Sequence, residues 1–187
     1  MKLEMSSLDV AAITLELEPL IKEKYLDNIY QINSETFLFK LRPGDLNLMI
    51  EVGRRIHLTK YEVQIPKEPT QFCMALRKRL RGGRVISIQQ HEFERTVILR
   101  IQTAEQIYEV IAELFRRGNL VIVDESGAIS LALSYVRMRD RNIVKGETFK
   151  HAPPSGLNPL KLSLDELSSV KTHGPIPATK ALVMTLS

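Results

Sequence analysis

From residue 25 onward the chain alternates between apolar and polar residues with a period of two, the pattern of half-buried β-strands. Turn-forming residues interrupt this alternation at positions 33–34, at 43–45 and at Gly53. Strands that follow one another through such short turns pair antiparallel. We therefore expect an antiparallel sheet whose first four strands lie at residues 25–32, 35–42, 46–52 and 55–59.

The same pattern returns after residue 83 and predicts further strands at 84–91, 94–102, 119–124 and 128–136. The segment 106–115 is ambiguous, because its apolar residues fit one side of a helix nearly as well as one face of a strand. On that strand face Tyr108, Val110 and Ala112 would lie together. The neighbouring strands favour the strand interpretation.

A helix is predicted at residues 7–24, before the first strand. Ser6 can cap its N-terminus, and Asp9 stands three residues later, as in a capping box. Pro19 should kink or end this helix, since proline removes a backbone donor. The residues that recur near helical spacing, and that we expect on its buried side, are Leu8, Ala12, Leu15 and Leu20.

A second helix is predicted at residues 70–80, between a loop rich in proline and lysine and the Gly82-Gly83 pair that ends it. We expect Cys73 to be a small core residue of this helix. The apolar residues on one side of it are Phe72, Ala75, Leu76 and Leu80. Both helices should cover open faces or edges of the sheet.

The composition changes after residue 149, where HAPPSGLNP is typical of a linker. Ser163 and Glu166 form a capping box that predicts another helix. Residues 151–187 are too few to form a core of their own, so we expect the linker and first helices of a truncated helical domain, within a longer protein. Residues 1–150 are predicted to form one α+β domain of antiparallel strands and flanking helices.

Composition disfavours several classes of function. The apolar runs are far shorter than the roughly 20 residues of a membrane span, and the N-terminal MKLEMSSLD has no apolar core of a secretory signal. Cys73 is the only cysteine, and the four histidines lack the spacing of metal ligands. We therefore expect a soluble, cytoplasmic protein without a metal or cofactor. The net charge of +4 is modest, so its distribution along the chain is more informative.

The densest positive charge lies in the segment RKRLRGGR, residues 77–84. Cations at the end of a helix offset its dipole, but one or two would suffice for that. The larger number favours a surface that faces phosphates, and its candidate RNA-binding residues are Arg77, Lys78, Arg79 and Arg81. Two smaller clusters are more typical of solvated faces: Arg116 and Arg117, and Arg137, Arg139 and Arg141.

Seven segments together carry a resemblance to a known family: MSSLDVAAI, YLDNIYQI, IEVGRRIHLT, FCMALRKRLRG, FERTVIL, AELFRRGNLVIVDE and NIVKGETF. In this order they resemble the NFACT family of ribosome-associated quality-control factors, over residues 1–150 and into the next domain. The resemblance implies a fold similar to the N-terminal domain of formamidopyrimidine-DNA glycosylases, an antiparallel β-sandwich of two packed sheets with flanking helices, followed by a helix-hairpin-helix domain.

The resemblance also implies a function. Proteins of this family bind large ribosomal subunits obstructed by peptidyl-tRNA and recruit tRNA. They direct untemplated addition of residues, alanine in prokaryotic members, to the C-terminus of the stalled chain. The N-terminal domain would contact the anticodon arm of the tRNA, and the ribosome would supply the peptidyl-transfer chemistry, so the domain would not be an enzyme.

Two family positions matter for tail synthesis, an acidic residue in the first helix and an Asp-Arg pair that opens a strand. They match Asp9 and Glu94-Arg95, where glutamate replaces the usual aspartate. Unpaired bases offer edges to which a carboxylate or a guanidinium can hydrogen-bond. The structural alternatives are helix capping for Asp9 and an exposed ion pair for Glu94-Arg95.

Two other functions compete with RNA binding. The glycosylase-like fold suggests a nucleic-acid glycosylase or abasic-site lyase. Those enzymes use an N-terminal proline as nucleophile, whereas the second residue here is Lys2, and a fold is not a site. Some bacterial relatives are named for fibronectin binding, which suggests a surface adhesin, but the chain shows no export signal.

Overall fold

In the computed structural model of this chain, residues 4–154, 156, 158, 161 and 163 are described. They contain the helices α1 (Ser7–Ile21) and α2 (Gln71–Leu80). The strands are β1 (Tyr25–Gln31), β2 (Thr36–Arg42), β3 (Leu46–Glu51), β4 (Arg55–Thr59), β5 (Arg84–Gln90), β6 (Thr96–Gln102), β7 (Ile107–Glu113), β8 (Leu120–Val123), β9 (Ile129–Ala132), β10 (Val136–Arg137) and β11 (Asn142–Ile143). The α+β class and the antiparallel strands are confirmed, and the ambiguous segment 106–115 is a strand.

The strands β1 to β9 form one antiparallel sheet in the order β4-β3-β2-β1-β5-β6-β7-β8-β9, and β10 pairs with β11 in a separate hairpin. The large sheet has two halves, because the strands β1 and β5 share a single residue pair, Tyr25 with Arg84. The expected β-sandwich would have two separate packed sheets, whereas β1 to β9 form one continuous sheet, so this part of the prediction is wrong. The reason is that the short α2–β5 connection returns the chain beside the start of β1, where Leu26 donates to the carbonyl of Gly83.

The two halves of the sheet nevertheless enclose one core. β3 and β7 are five positions apart in the sheet, which would separate them by roughly 24 Å if the sheet were flat. Instead, the Gly53 N–H, just after β3, donates to the Glu113 carbonyl of β7 at 2.9 Å. The sheet must therefore fold back on itself, and Phe39 of the first half and Val110 of the second are both fully buried in the same apolar cluster.

Helix α1 begins at Ser6 with the predicted capping box and lies against β4, β5 and β6. Its predicted buried side is wrong: Leu8, Leu15 and Leu20 are 69%, 74% and 49% exposed, and Ala12 is exposed as well. The residues that it buries are Val10, Thr14, Leu17 and Ile21. Both sets repeat at helical spacing, so periodicity alone could not select the side that meets the sheet.

Two local features explain the course of α1. The Thr14 hydroxyl donates to the Val10 carbonyl at 2.9 Å, which satisfies the one polar side chain on the buried side. Pro19 is exposed and lies inside the helix, which continues to Ile21 rather than ending there. The missing proline donor affects only the last turn, where the Lys22 N–H still bonds the Glu18 carbonyl.

Helix α2 is capped by Thr70, whose hydroxyl accepts from the Cys73 N–H at 3.1 Å. Cys73 is fully buried, as expected, together with Leu76 and Leu80. The Cys73 thiol donates to the Ile29 carbonyl at 3.4 Å and so ties the helix to β1. Two residues of the predicted apolar side, Phe72 and Ala75, are only partly buried.

The predicted helices after residue 160 lie outside the described residues, and the boundary at residue 150 stays a prediction. Within the described part of the chain, neither helix is long and apolar enough to cross a membrane. The same part contains no group of three His, Cys, Asp or Glu residues that could hold a metal ion.

Candidate nucleic-acid interface

The N-terminus of α1 and the β5–β6 turn are fastened together by one side chain. The Gln90 amide donates to the carbonyls of Ser7 and Glu94, both at 2.8 Å. This contact brings the first turn of α1, which carries Asp9, next to the Glu94-Arg95 pair, although more than 80 residues separate them. Candidate residues from the two segments thus meet at one place.

A hollow of about 520 Å³ lies at this junction. We call it the helix-start hollow, and it is lined by Ser6, Ser7, Glu94, Arg95, Phe115, Ala152 and Pro153. Glu94 and Arg95 therefore face the hollow directly. Asp9 does not line it but stands one step behind, bonded to Ser6.

Asp9 is held in the capping box that the sequence predicted. Its Oδ2 accepts from the Ser6 backbone N–H and from the Ser6 hydroxyl, both at 2.6 Å. The Ser6 hydroxyl in turn accepts from the Asp9 N–H at 3.4 Å. The carboxylate therefore stabilises the helix start and places a negative charge near the wall of the helix-start hollow.

Arg95 forms an ion pair with Glu4, with 3.3 Å between Nη1 and Oε2. The Arg95 side chain is 30% exposed and the Glu4 side chain 54%, so solvent screens the pair. Such pairs contribute about 0–1 kcal/mol, which means that another anion could replace Glu4 at little cost. The backbone of Arg95 is fixed more firmly, since its carbonyl accepts from the Leu114 N–H at 2.7 Å.

A second hollow of about 190 Å³ adjoins the first. Arg95 of the helix-start hollow pairs with Glu4, which lines the second hollow, and Phe115 of the first directly precedes Arg116 of the second. We call this second hollow the arginine hollow. Its lining includes Arg54, Arg116 and Arg117, all exposed, beside Glu4 and Glu35. Sequence reasoning missed Arg54, because it follows a turn glycine beside only one other arginine, Arg55, and meets Arg116 and Arg117 only through the fold.

The basic run on α2 lies elsewhere. Gln90, at the end of β5, adjoins the helix-start hollow, whereas Arg81 is three residues before the start of β5. A seven-residue strand is roughly 20 Å long, so the fold does not bring this run to the hollow.

Most side chains of the basic run contact the protein itself. Arg77 donates to the Ile29 carbonyl at 2.6 Å, Arg79 to the Ser130 hydroxyl at 2.8 Å, and Arg81 to the Asp27 carbonyl at 2.9 Å. Lys78 is exposed. These bonds show that part of the run stabilises α2 against the sheet.

The segment that leads to Ala152 and Pro153 packs on the β5–β6 turn through two histidines. The rings of His91 and His151 stack with centroids 3.4 Å apart, and the Phe149 ring meets His151 edge-on at 4.9 Å. Burial, followed by the nearby charges of His91 and Arg141, lowers the pKa of His151 to about 4. His151 is therefore neutral at pH 7, and the stack holds one wall of the helix-start hollow in place.

Beyond this stack, Lys161 and Asn158 both bond the exposed carboxylate of Glu92, at 2.6 and 3.3 Å. The hydrogen bonds from Lys161 and Asn158 lower the pKa of Glu92. The chain after Pro153 thus keeps a contact with the β5–β6 turn.

Comparison with known proteins places this arrangement in a family. The archaeal Rqc2 homolog aRqcH of Methanocaldococcus jannaschii is 36% identical over 170 residues, which cover 87% of this chain and 25% of that protein. The human ribosome quality control complex subunit NEMF is 30% identical over 180 residues, which cover 94% of this chain and 16% of that protein. The chain therefore spans a quarter or less of the length of these relatives.

Solved structures match the fold. The N-terminal domain of the fibronectin-binding protein PavA from Streptococcus pneumoniae superposes with a TM-score of 0.76 at 25% identity, covering 88% of this chain and 67% of that one. The fibrinogen-binding protein from Staphylococcus aureus superposes with a TM-score of 0.81 at 21% identity, covering 97% and 69%. The likeness to glycosylases stays a prediction. The family model of the NFACT N-terminal and middle domains matches residues 6–186, and the chain therefore belongs to the NFACT family.

Proposed function

We propose that this chain is the module of a ribosome quality-control factor that binds tRNA and the large ribosomal subunit. Relatives in the NFACT family are named as ribosome quality control subunits or their homologs, which supports this role. In the proposal, the protein recruits a tRNA, of the alanine type, to large subunits obstructed by peptidyl-tRNA. The ribosome then joins the amino acids to the stalled chain, and this module contributes recognition without catalysis.

The observation that carries the proposal is the meeting of Glu94, Arg95 and the Asp9-bearing helix start at one hollow. A volume of about 520 Å³ lies within the range of about 300–1,000 Å³ for small-molecule pockets. An unpaired base of an anticodon loop is smaller than most such ligands. The helix-start hollow is therefore large enough to receive one base that is turned out of its stack.

The side chains at the hollow suit base recognition. A guanidinium donates through several N–H groups in a fixed plane and can also stack on a base, and a carboxylate accepts from exocyclic amines. Arg95 is held by a weak surface pair, so it can turn from Glu4 to an RNA group. The exposed Arg54, Arg116 and Arg117 of the neighbouring arginine hollow suit phosphates, which position an RNA without reading its sequence.

Binding of tRNA by the purified 187-residue chain tests this proposal. We expect weak binding that falls steeply with salt, because phosphate contacts dominate the affinity. Arg95→Ala should reduce discrimination among tRNAs by about 1–3 kcal/mol, the usual effect of one good base contact. Arg100→Ala is the matched control, since Arg100 lies on the same sheet and also forms a surface ion pair, with Glu109 at 3.4 Å.

Equal effects of Arg95→Ala and Arg100→Ala, or no binding of tRNA by the unaltered chain, would contradict the proposal. A second measurement follows sedimentation with large subunits that carry peptidyl-tRNA. Arg95→Ala in the complete protein should leave this association intact while it impairs tail addition, because the substitution concerns the tRNA rather than the subunit.

A further inference from the structure

Residues 134–141 contain β10 and the turn that leads to β11, and we call this segment the basic hairpin. Its residues 134–140 are all exposed. Three of them are large and apolar or aromatic, with exposures of 49% for Tyr135, 38% for Val136 and 46% for Met138. Arg137 and Arg139 alternate with these residues along the chain. Exposed aromatic and apolar residues that alternate with arginines are typical of a surface that meets a partner.

The basic hairpin is held firmly at both ends. At one end, the Asn119 amide donates to the Ser134 carbonyl at 2.7 Å and accepts from the Ser134 N–H at 3.0 Å. At the other end, Arg141 is buried and bonds both carboxylate oxygens of Glu113. The Tyr135 hydroxyl accepts from the Ala132 N–H at 3.3 Å, which positions the ring. Because the hairpin is fixed before it meets a partner, binding costs little conformational entropy.

The anchors also locate the hairpin beside the candidate interface. Glu113 and Asn119 are the residues on either side of the β7–β8 turn, and that turn carries Arg116 and Arg117 of the arginine hollow. The basic hairpin is therefore attached to the same turn that lines both hollows. A long ligand that occupies the hollows could continue onto the hairpin.

We infer that the basic hairpin is a second RNA contact, in which Tyr135 stacks on an unpaired base and Arg137 and Arg139 contact phosphates. This inference rests on the proposed function and extends it to a surface outside the helix-start hollow. Aromatic rings beside cations are the common means of holding single-stranded RNA, because every base has a face that can stack. Protein interfaces also use tyrosine, methionine and arginine, but two exposed arginines on a chain of net charge +4 favour a polyanion.

Two probes test the inference with the full chain, an unmodified tRNA transcript and a single-stranded oligouridylate. Arg137→Gln together with Arg139→Gln should weaken binding of both probes. The double substitution should also make the slope of log affinity against log salt shallower, by about 0.7–0.9 for each phosphate that is no longer neutralised. Tyr135→Leu should weaken binding of the oligouridylate about tenfold, whereas Tyr135→Phe, which keeps the ring, should retain most of it.

Lys60→Gln with Lys67→Gln is the matched control. It removes two exposed charges from the loop after β4. Arg54 of the arginine hollow lies just before β4, so Lys60 begins this loop at the opposite end of that strand. If the hairpin variants bind RNA as the control does, the inference is overturned, even if they no longer bind a protein partner. If they bind normally while Arg95→Ala loses discrimination, the hairpin inference alone fails. If the unaltered chain binds neither probe, the proposed function fails with it.

Discussion

Glu113 and Arg141 form a buried bidentate ion pair, with 2.5 Å between Oε1 and Nη1 and 3.0 Å between Oε2 and Nη2. Their side chains are only 1% and 7% exposed. Arg141 also lies over the Phe115 ring, 6.0 Å from its centroid, and donates to the Lys150 carbonyl at 3.4 Å. This one pair therefore joins β7 to the basic hairpin and to the segment that leads to the helix-start hollow.

Removal of one charge from this pair should be costly. Glu113→Gln keeps the size of the side chain but leaves the Arg141 guanidinium buried without a counter-charge, so we expect a decrease of about 3–5 kcal/mol in the free energy of unfolding. Chemical denaturation measures it. The control Glu109→Gln is the same substitution on the same strand, in an exposed pair with Arg100, and should cost under about 1 kcal/mol. Equal decreases in the two variants would mean that the buried pair contributes no more to stability than the exposed one.

Shortening a side chain to alanine should affect stability very differently on the two sides of α1. Leu17 is 2% exposed and packs in the core, so Leu17→Ala should destabilise the protein by about 2–5 kcal/mol. Leu15 is 74% exposed, so Leu15→Ala should change the stability by less than about 0.5 kcal/mol. Thermal unfolding of the two variants compares them directly. A larger destabilisation by Leu15→Ala would reverse the orientation of the helix.

This difference shows where the sequence was sufficient and where it was not. Strands and helix ends depend on local signals, such as alternation, turn residues and the Ser6–Asp9 capping box, and nearly all were located correctly. The buried side of α1 depends on which strands it meets, and that is set by distant parts of the chain. With leucines on both sides of the helix, the pattern held no information about the choice.

The candidate interface was predictable only in part, for the same reason. Asp9, Glu94 and Arg95 were selected by family resemblance, and no local pattern indicated that Gln90 would join their two segments. The sequence indicated no role for Asn119 beyond the start of a predicted strand, yet Asn119 is 4% exposed and anchors the basic hairpin. Contacts between residues far apart in the chain depend on how the sheet folds back on itself, and sequence periodicity cannot predict that.

Acidification should destabilise the contact between His151 and the β5–β6 turn. The pKa of His151 falls from its usual 6.5 to about 4 in the folded chain, so between these values the unfolded chain binds the proton more readily. Stability should therefore fall as pH decreases from 7 to 4, by about 1–2 kcal/mol once solvent around the half-buried ring is allowed for.

The variant His151→Phe isolates this effect. Phenylalanine keeps a flat ring that can stack on His91 but cannot be protonated, so its melting temperature should depend less on pH than that of the unaltered chain. Melting curves at pH 7, 5.5 and 4 make the comparison. Parallel pH profiles for the two proteins would assign the acid sensitivity to other groups.

The basic run on α2 can be tested at its two exposed side chains, Lys78 and Arg81. Arg77 and Arg79 are partly buried and bonded to neighbouring strands, whereas Arg81 gives up one bond, to the Asp27 carbonyl, when it is replaced. If the run faces phosphates, Lys78→Gln with Arg81→Gln should weaken binding of all tRNAs alike. The salt slope should become shallower by about 0.7–0.9 for each phosphate that these side chains neutralise. An unchanged slope, equal to that of the Lys60 and Lys67 control, would mean that the run faces solvent only.

The last prediction separates the two roles of Asp9, helix capping and RNA recognition. Asp9→Asn keeps a side-chain oxygen that can accept from the Ser6 N–H but removes the charge, so stability should fall by less than about 1 kcal/mol. Ser6→Ala does the reverse: it removes the cap, at a cost of about 1 kcal/mol, and leaves the charge. If the Asp9 carboxylate reads RNA, discrimination among tRNAs should fall in Asp9→Asn and persist in Ser6→Ala. Asp45→Asn, the same change in an exposed turn, is the control. Discrimination that follows the melting temperature across these variants would instead make capping the whole role of Asp9.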